Sequence, residues 1–400
     1  MRDHSTPISN FLESRIGRDD VPAVVAAVVN RNALLYLSAF GKRDVARNLD
    51  ATPDTIFRIA SMTKPVTSLA VMMLYDDGKI ALDDPIVSRL AHYQQPPVLT
   101  NADGSTASCN LRPATRPITI RDLLTHTSGM AYSFFNPALT RLSATGKSEL
   151  ELPLLNDPGE RWTYGPSTAL LGQMVAHVSG ETIDDFCRRR IFEPLDMPDT
   201  SYSVPENKRE RVATRHQREA DGTLVEQPNP PAIQSRGRGD DGLFSTAPDY
   251  AAFLQLFLNG GRRGSARLVS EPAIRLMMEN EIGDLVIERQ SAVNSSVAMA
   301  FPSGAGVDKF GFGFQIQTPP SEAGMRSPGS VGWGGIFNTN FWIDPQIGIA
   351  AVVLMQTLPY ADVKCSELVR GFERLVYRRA WDSCRERSPD SRHLSTTQDK

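Results

Sequence analysis

The sequence contains little cysteine, no pair of neighbouring cysteines and no large excess of either charge. Its 400 residues include four cysteines, at Cys109, Cys187, Cys365 and Cys384, with no CxxC pattern. Cysteines scattered in this way favour free thiols over a disulfide framework or a metal site. Lys and Arg total 43 and Asp and Glu total 46, so the formal net charge is −3. Because no basic excess is available to neutralise phosphates, we do not expect nucleic acid as a partner.

A secretory signal and a membrane-spanning run are also missing from the amino-terminal region. Residues Met1 to Pro7 are polar and include Asp3, with no apolar segment of the kind that a signal peptide needs. The apolar run that ends at Val29 is about eight residues long, which is strand length and too short to cross a bilayer. We therefore expect a cytoplasmic protein without a membrane partner, and its oligomeric state stays open.

The overall amino-acid composition is ordinary for a globular protein, and the spacing of apolar residues predicts an α+β fold. Apolar residues make up 40% and charged residues 22% of the chain. Strands are predicted over residues 23–29, 33–40, 310–317, 339–343 and 349–355. Helices are predicted over residues 8–16, 61–77, 118–125, 168–179, 183–192, 248–258 and 363–381. Strands near both ends with helices between them indicate a discontinuous sheet domain, residues 1–90 and 240–384, around a mostly helical domain, residues 91–239. Residues 385–400 are predicted to form a frayed tail.

Ser61 and Lys64 form an S-x-x-K pattern at the predicted start of a helix. Residues three apart in a helix lie on one face, one turn from each other. A serine hydroxyl is a weak nucleophile that needs a base, and a lysine amine can be that base where burial and nearby cations favour its neutral form. Taken alone, the pattern favours a capping serine beside a solvated lysine.

Three further segments carry groups that suit a serine-based site. Tyr164 offers a phenol that could relay a proton beside a cation, although a core tyrosine is the alternative. The paired glycines Gly334 and Gly335, after Trp333, would let a ligand approach a strand closely, although a simple turn is the alternative. His126, in a His-Thr-Ser-Gly segment, fits a structural histidine better than a catalytic one.

In this order and spacing, the segments resemble the serine β-lactamase/penicillin-binding-protein superfamily. Within it they look most like the class C β-lactamase-like carboxylesterases, often called family VIII esterases. The resemblance runs from about Val21 to Tyr377, and the Asp-Asp-Gly-Leu-Phe-Ser-Thr segment from Asp240 to Thr246 also matches a recurrent loop of the superfamily. It implies a β-lactamase/transpeptidase-like fold, in which an antiparallel sheet is flanked by helices and a mostly helical domain is inserted.

The resemblance also implies catalytic roles. Ser61 would be the nucleophile that accepts the acyl group, and Lys64 and Tyr164 would form the proton-shuttling pair, with the immediate base left open between them. The backbone N–H groups of Ser61 and Ile336 would form the oxyanion hole. No metal and no cofactor is expected, because no ligand spacing such as H-E-x-x-H occurs.

Two departures from the β-lactamase pattern bear on the substrate. Where those enzymes carry Lys-Thr-Gly on a late strand, this chain has Trp333, Gly334 and Gly335, so the cation that would grip a β-lactam carboxylate is absent. Where they carry Tyr-x-Asn, this chain has Pro166 in place of the asparagine. We therefore expect a serine carboxylesterase acting on short-chain, uncharged small-molecule esters, with only weak activity on some β-lactams or amides.

Two alternatives stay open. One is an acyltransferase, because hydrolysis and acyl transfer share one acyl-enzyme, and the other is a β-lactamase or amidase with weak β-lactam hydrolysis. The segments around Tyr132 and Asn156, together with Trp162-Thr-Tyr-Gly165, also resemble the fungal acyltransferase of statin biosynthesis. Arg236 and Arg238 fit a solvated loop better than an anion site. Candidate substrate-binding residues are Trp333, Gly334, Gly335, Tyr132, Phe134, Phe135 and Phe337.

Overall fold

An antiparallel sheet built from both ends of the chain forms the centre of the molecule. The computed structural model describes residues 6–17, 20–100, 110–229, 237–318 and 325–386. Within these ranges the sheet has eight strands, in the order Lys309–Phe310, Gln315–Ile316, Val331–Gly335, Thr339–Asp344, Ile349–Leu354, Ala23–Asn30, Leu34–Asp44 and Leu49–Asp50. The strand from Ala23 pairs with the late strand from Ile349. The predicted α+β class, with an antiparallel sheet between helices, is therefore confirmed.

Helices cover both faces of this sheet. The described α-helices are Pro7–Glu13, Thr63–Asp76, Ile120–Leu124, Pro137–Ser143, Ser167–Ser179, Ile183–Cys187, Ala247–Leu258, Glu271–Met278 and Val363–Glu386. Short strand pairs outside the sheet join Phe57–Arg58 to Phe244–Ser245, Val98–Leu99 to Leu111–Arg112, and Arg262–Arg263 to Ala266–Arg267. A further small sheet has the order Thr357–Leu358, Arg215–Arg218, Leu224–Gln227. Within the described ranges, no helix has the length and apolar content that a membrane span requires.

The apolar run at residues 23–29 is continuous because its strand is covered on both faces. Alternate side chains of a strand point to opposite sides. Val25 and Ala27 face the main core, which includes the helix Thr63–Asp76, whereas Val24 and Ala26 face a second core built on the first and last helices. Burial of each such valine contributes about 1.5–3 kcal/mol of transfer free energy.

The helix Thr63–Asp76, called here the central helix, runs through the main core. Residues 63–74 are all buried, more than the single apolar face that its sequence pattern predicts. Pro65 lies in the first turn, where its missing N–H leaves no helical bond unmade. The helix Ser167–Ser179 packs beside it and ends at Gly180, which has φ 76°. The rigid core thus fixes the residues at the start of the central helix.

Several predicted elements begin or end a few residues from the observed ones, and two differ from the structure in kind. Residues 310–317 form two short strands with a turn at Gly313, whose φ of 98° interrupts a continuous strand. The predicted helix over residues 183–192 is α-helical only over Ile183–Cys187, and a π-helical segment, Arg188–Phe192, follows. The division into two domains stays a prediction, and residues 387–400 of the predicted tail lie outside the described ranges.

Candidate active site

Ser61 lies in a short 3₁₀ turn, Ala60–Met62, directly before the central helix. The chain enters this turn from the strand Phe57–Arg58 and passes through Ala60, whose φ of 46° is in the left-handed region. An alanine rarely adopts this conformation, and strained backbone of this kind is common at functional sites. The turn leaves the Ser61 side chain part-exposed at the base of a cavity.

Lys64 lies one turn further along, and its side chain is buried beneath Ser61. Its Nζ is 3.1 Å from the Oγ of Ser61, 3.0 Å from the hydroxyl oxygen of Tyr132 and 2.9 Å from the backbone oxygen of Asp240. Nζ also lies 4.9 Å from the ring centre of Tyr164. The i, i+3 spacing in the sequence therefore does place the amine at the serine, as helical geometry requires.

Tyr164 is the second group that makes a hydrogen bond to Ser61. Its hydroxyl donates to the Oγ of Ser61 at 2.9 Å, so that both the phenol and the amine of Lys64 are within hydrogen-bond distance of Oγ. The ring of Tyr164 is held by aromatic neighbours, with ring centres 5.1 Å from Trp333 and 5.4 Å from Phe301. A nucleophile with two proton-exchanging groups in hydrogen-bond range can be deprotonated and can pass its proton on.

A second tyrosine and an aspartate complete the polar part of the site. The hydroxyl of Tyr132 donates to Oδ2 of Asp240 at 2.7 Å, and Arg238 donates to both oxygens of that carboxylate at 3.0 and 2.9 Å. Burial alone raises the pKa of Asp240, but Lys64 and Arg238 outweigh it and lower the pKa. Burial and the charge of Asp240 raise the pKa of Tyr132 well above its usual value. Asp240 is therefore a carboxylate and Tyr132 a neutral phenol at neutral pH.

Sequence reasoning missed the role of this pair. It placed Tyr132 in the pocket wall and found Asp240 only as part of a recurrent loop, and nothing in the local pattern joins residues 108 positions apart. It also assigned Arg238 to a solvated loop, whereas Arg238 lines the cavity and pairs with the buried Asp240. Arg236 lies outside the described residues.

The cavity above Ser61 has a volume of about 290 Å³ and one strongly aromatic wall. Of the predicted substrate-binding residues, it is lined by Tyr132, Phe134, Phe135, Trp333, Gly334 and Gly335, with Ile336 beside them. Phe301 and Tyr360 add to this wall. Phe337 is not among the lining residues, because the chain leaves the strand after Gly335 and turns away. Phe134 and Phe135 pack against each other with ring centres 4.3 Å apart and ring planes tilted by 53°.

His126 lies behind the reacting groups and does not line the cavity. It is buried, its ring centre is 5.0 Å from that of Tyr164, and its Nδ1 has no hydrogen-bond partner among the described residues. Burial and the charge of Lys64 lower the pKa of His126 to about 3. A neutral, enclosed imidazole supports the ring of Tyr164 by packing. In the parts of the chain that the structure describes, no group of three or more His, Cys, Asp or Glu side chains could hold a metal ion.

Comparison with known proteins identifies relatives over nearly the whole chain. The family model described as Beta-lactamase matches residues 8–372. An uncharacterized protein of Mycobacterium tuberculosis is 32% identical over 368 residues, which are 87% of this chain and 88% of that protein. The monacolin J acid methylbutanoyltransferase of Aspergillus terreus is 28% identical, over 89% of this chain and 91% of the relative. A lovastatin esterase of Penicillium rubens is also 28% identical, over 90% of this chain and 95% of the relative.

Solved structures show the same fold. The unliganded simvastatin synthase (LovD) of Aspergillus terreus superposes with a TM-score of 0.79 at 24% identity, and the match covers 95% of this chain and 99% of that one. At this identity the likeness concerns the fold. It agrees with the predicted β-lactamase/transpeptidase-like architecture.

Proposed function

The chain belongs to the β-lactamase family, and from that premise we propose that it is a serine carboxylesterase that cleaves short-chain, uncharged esters through an acyl-Ser61 intermediate. Family membership makes it a serine hydrolase or acyltransferase of that superfamily. One observation supports the finer assignment above all others. The Oγ of Ser61 lies 3.1 Å from the amine of Lys64 and 2.9 Å from the phenol of Tyr164, at the base of an aromatic cavity.

The proposed reaction has two steps that use the same groups. In acylation, Lys64 and Tyr164 take the Ser61 proton while Oγ attacks the ester carbonyl, and the leaving alcohol receives a proton from the same pair. In deacylation, water attacks the acyl carbonyl and gives a proton to the Lys64–Tyr164 pair. The pair passes a proton to the Oγ of Ser61, which is regenerated as the carboxylic acid leaves. The backbone N–H groups of Ser61 and Ile336, both at the cavity, are proposed to bind the carbonyl oxygen as its charge develops.

The cavity wall supports an uncharged ester as substrate. Trp333 lies 5.1 Å, centre to centre, from the ring of Tyr164, at the position where β-lactamases carry a cation. Among the described residues, the two basic side chains at the site already have partners, since Lys64 bonds to Ser61 and Tyr132, and Arg238 bonds to Asp240. Glu149 also lines the cavity, and its carboxylate would repel an anionic substrate.

Acyl transfer is the second candidate function, supported by two relatives with different printed activities. One is named a methylbutanoyltransferase and the other an esterase, at equal identity to this chain. The two reactions differ only in whether water or an alcohol attacks the acyl-enzyme. The aromatic wall formed by Phe134, Phe135, Phe301 and Trp333 could bind an alcohol as well as an acyl chain.

Turnover of p-nitrophenyl acetate and butyrate, measured beside nitrocefin, tests the proposal. We expect ester hydrolysis that is lost in Ser61→Ala, and a phosphonate inhibitor whose adduct is found on Ser61 by mass spectrometry. Ester turnover that survives in Ser61→Ala, or an adduct on another residue, would refute the mechanism. Fast nitrocefin turnover with negligible ester turnover would identify a β-lactamase instead. Ester products formed when short alcohols are added would assign the acyltransferase.

A further inference from the structure

Three polar groups surround the nitrogen of Lys64, and two of them are fixed acceptors, which leaves one position for Ser61. A lysine nitrogen is tetrahedral, with one position taken by its own carbon and three left for hydrogens or a lone pair. Two of the three point at fixed acceptors, the hydroxyl oxygen of Tyr132 at 3.0 Å and the backbone oxygen of Asp240 at 2.9 Å. The third points at the Oγ of Ser61 at 3.1 Å.

The hydroxyl of Tyr132 is itself oriented by a buried carboxylate. A phenol has one proton, and that of Tyr132 goes to Oδ2 of Asp240 at 2.7 Å, so its oxygen faces Lys64 as an acceptor. Asp240 is fully buried, and Arg238 holds both of its oxygens. The ring of Tyr132 stacks on that of Phe134, with centres 5.2 Å apart and planes 17° from parallel. Neither ring nor hydroxyl can rotate without breaking these contacts.

We propose that Tyr132, held by Asp240, is a positioning residue that directs the nitrogen of Lys64 at Ser61. With Tyr132 and the Asp240 carbonyl each accepting one N–H, a neutral amine has only its lone pair left for the Ser61 hydroxyl. The Ser61 proton then moves onto that lone pair, and Tyr132 and Asp240 keep the protonation they started with. This role rests on the proposed acyl-Ser61 mechanism and adds to it a second tyrosine, Tyr132, which does not exchange a proton.

The decisive variant is Tyr132→Phe, which keeps the ring and removes only the acceptor. Without the Tyr132 hydroxyl, the amine of Lys64 can turn, donate to Ser61 and point its lone pair away from the Ser61 hydroxyl. We therefore expect the acylation rate to fall about 10–100-fold, which is part of the 10²–10⁴-fold that a general base contributes. The KM for p-nitrophenyl butyrate should stay within about threefold, because the ring that lines the cavity remains. Tyr93→Phe is the matched control, since the buried Tyr93 hydroxyl has no partner among the described residues and lies outside the cavity.

Chemical rescue separates orientation from packing. In Tyr132→Ala, phenol added to the medium should restore part of the acylation rate, measured as the first release of p-nitrophenol, whereas benzene, which fills the same space without a hydroxyl, should not. The wild type with phenol controls for phenol acting as an acyl acceptor. If Tyr132→Ala does not fold, as judged by circular dichroism, Tyr132→Phe alone decides.

The outcomes also separate this role from the proposed function. If the wild type forms acyl-Ser61 and Tyr132→Phe acylates at the wild-type rate, the positioning role is wrong and the function stands. If Tyr132→Phe is as inactive as Ser61→Ala, Tyr132 is itself a proton carrier, and the positioning role is equally overturned. If the wild type forms no acyl-Ser61, the proposed function fails, and the positioning role that rests on it fails too.

Discussion

Gly335 packs directly against the carbonyl oxygen of Ile59, two residues before the nucleophile. A β-carbon at position 335 would collide with that oxygen and with the hydroxyl of Thr339. The late strand Val331–Gly335 can therefore approach the turn that carries Ser61 only because this residue has no side chain. The same approach brings Ile336 to the cavity beside Ser61.

Gly335→Ala should lower kcat for p-nitrophenyl butyrate by about 100-fold. The added β-carbon would separate the strand from the turn and move the two N–H groups of the proposed oxyanion hole apart. Loss of one such donor lowers the rate by about 10²–10³-fold. Gly17→Ala is the control, since position 17 has open space around it. Steady-state kinetics of both variants provide the measurement, and an unchanged kcat in Gly335→Ala would argue against an oxyanion hole at Ile336.

Tyr164→Phe should reduce kcat/KM for the same ester by about 10²–10⁴-fold, the range for loss of a general acid or base. The variant keeps the ring contacts with Trp333 and Phe301 and removes only the hydroxyl that meets the Oγ of Ser61. Thermal unfolding should change little, which separates a chemical defect from a structural one. Activity within threefold of wild type would leave Lys64 as the sole base.

Phe135→Ala should shift the preferred acyl chain towards longer esters, because it removes a ring from the cavity wall where Phe135 packs on Phe301 at 5.2 Å between centres. Phe337→Ala is a matched control, since Phe337 does not line that cavity. The profile of kcat/KM over acetate, butyrate, hexanoate and octanoate esters measures the shift. Equal profiles in the two variants would show that the acyl chain binds elsewhere.

The lowered pKa of the buried His126 leads us to expect that the free energy of unfolding decreases in mild acid. Its pKa is lowered from 6.5 to about 3 by burial and by Lys64, so between these values the unfolded chain binds a proton that the native protein excludes. The free energy of unfolding is therefore unaffected by this group above about pH 6.5, and it decreases by up to about 1.4 kcal/mol per pH unit as the pH falls towards 3.

In His126→Asn the free energy of unfolding should fall less steeply between pH 6.5 and 3, by up to about 1.4 kcal/mol per pH unit. Asparagine suits this position because it tolerates the φ of 58°. Urea unfolding at pH 7, 6 and 5 measures it. His92→Asn, at an exposed position, is the control. Parallel pH dependences in His126→Asn and the wild type would show that the native protein accepts the proton.

The sequence could predict those parts of the site that depend on local geometry. Ser61 and Lys64 meet because three residues make one helical turn, and the paired glycines Gly334 and Gly335 indicated by their residue type a strand that another group can approach closely. Phe337 could not be placed, because its direction depends on where the strand ends, at Gly335, which the pattern of paired glycines does not specify.

The amino-acid sequence by itself determined the α+β class, the S-x-x-K pair and the family resemblance, since each of these depends on residue type and short spacing. Only the tertiary structure joined Tyr132 to Asp240 across 108 positions and Lys64 to Tyr132 across 68. Contacts at such separations arise from the packing of elements around a shared core and not from the local pattern of either segment. The orientation of the lysine amine was decided at that level.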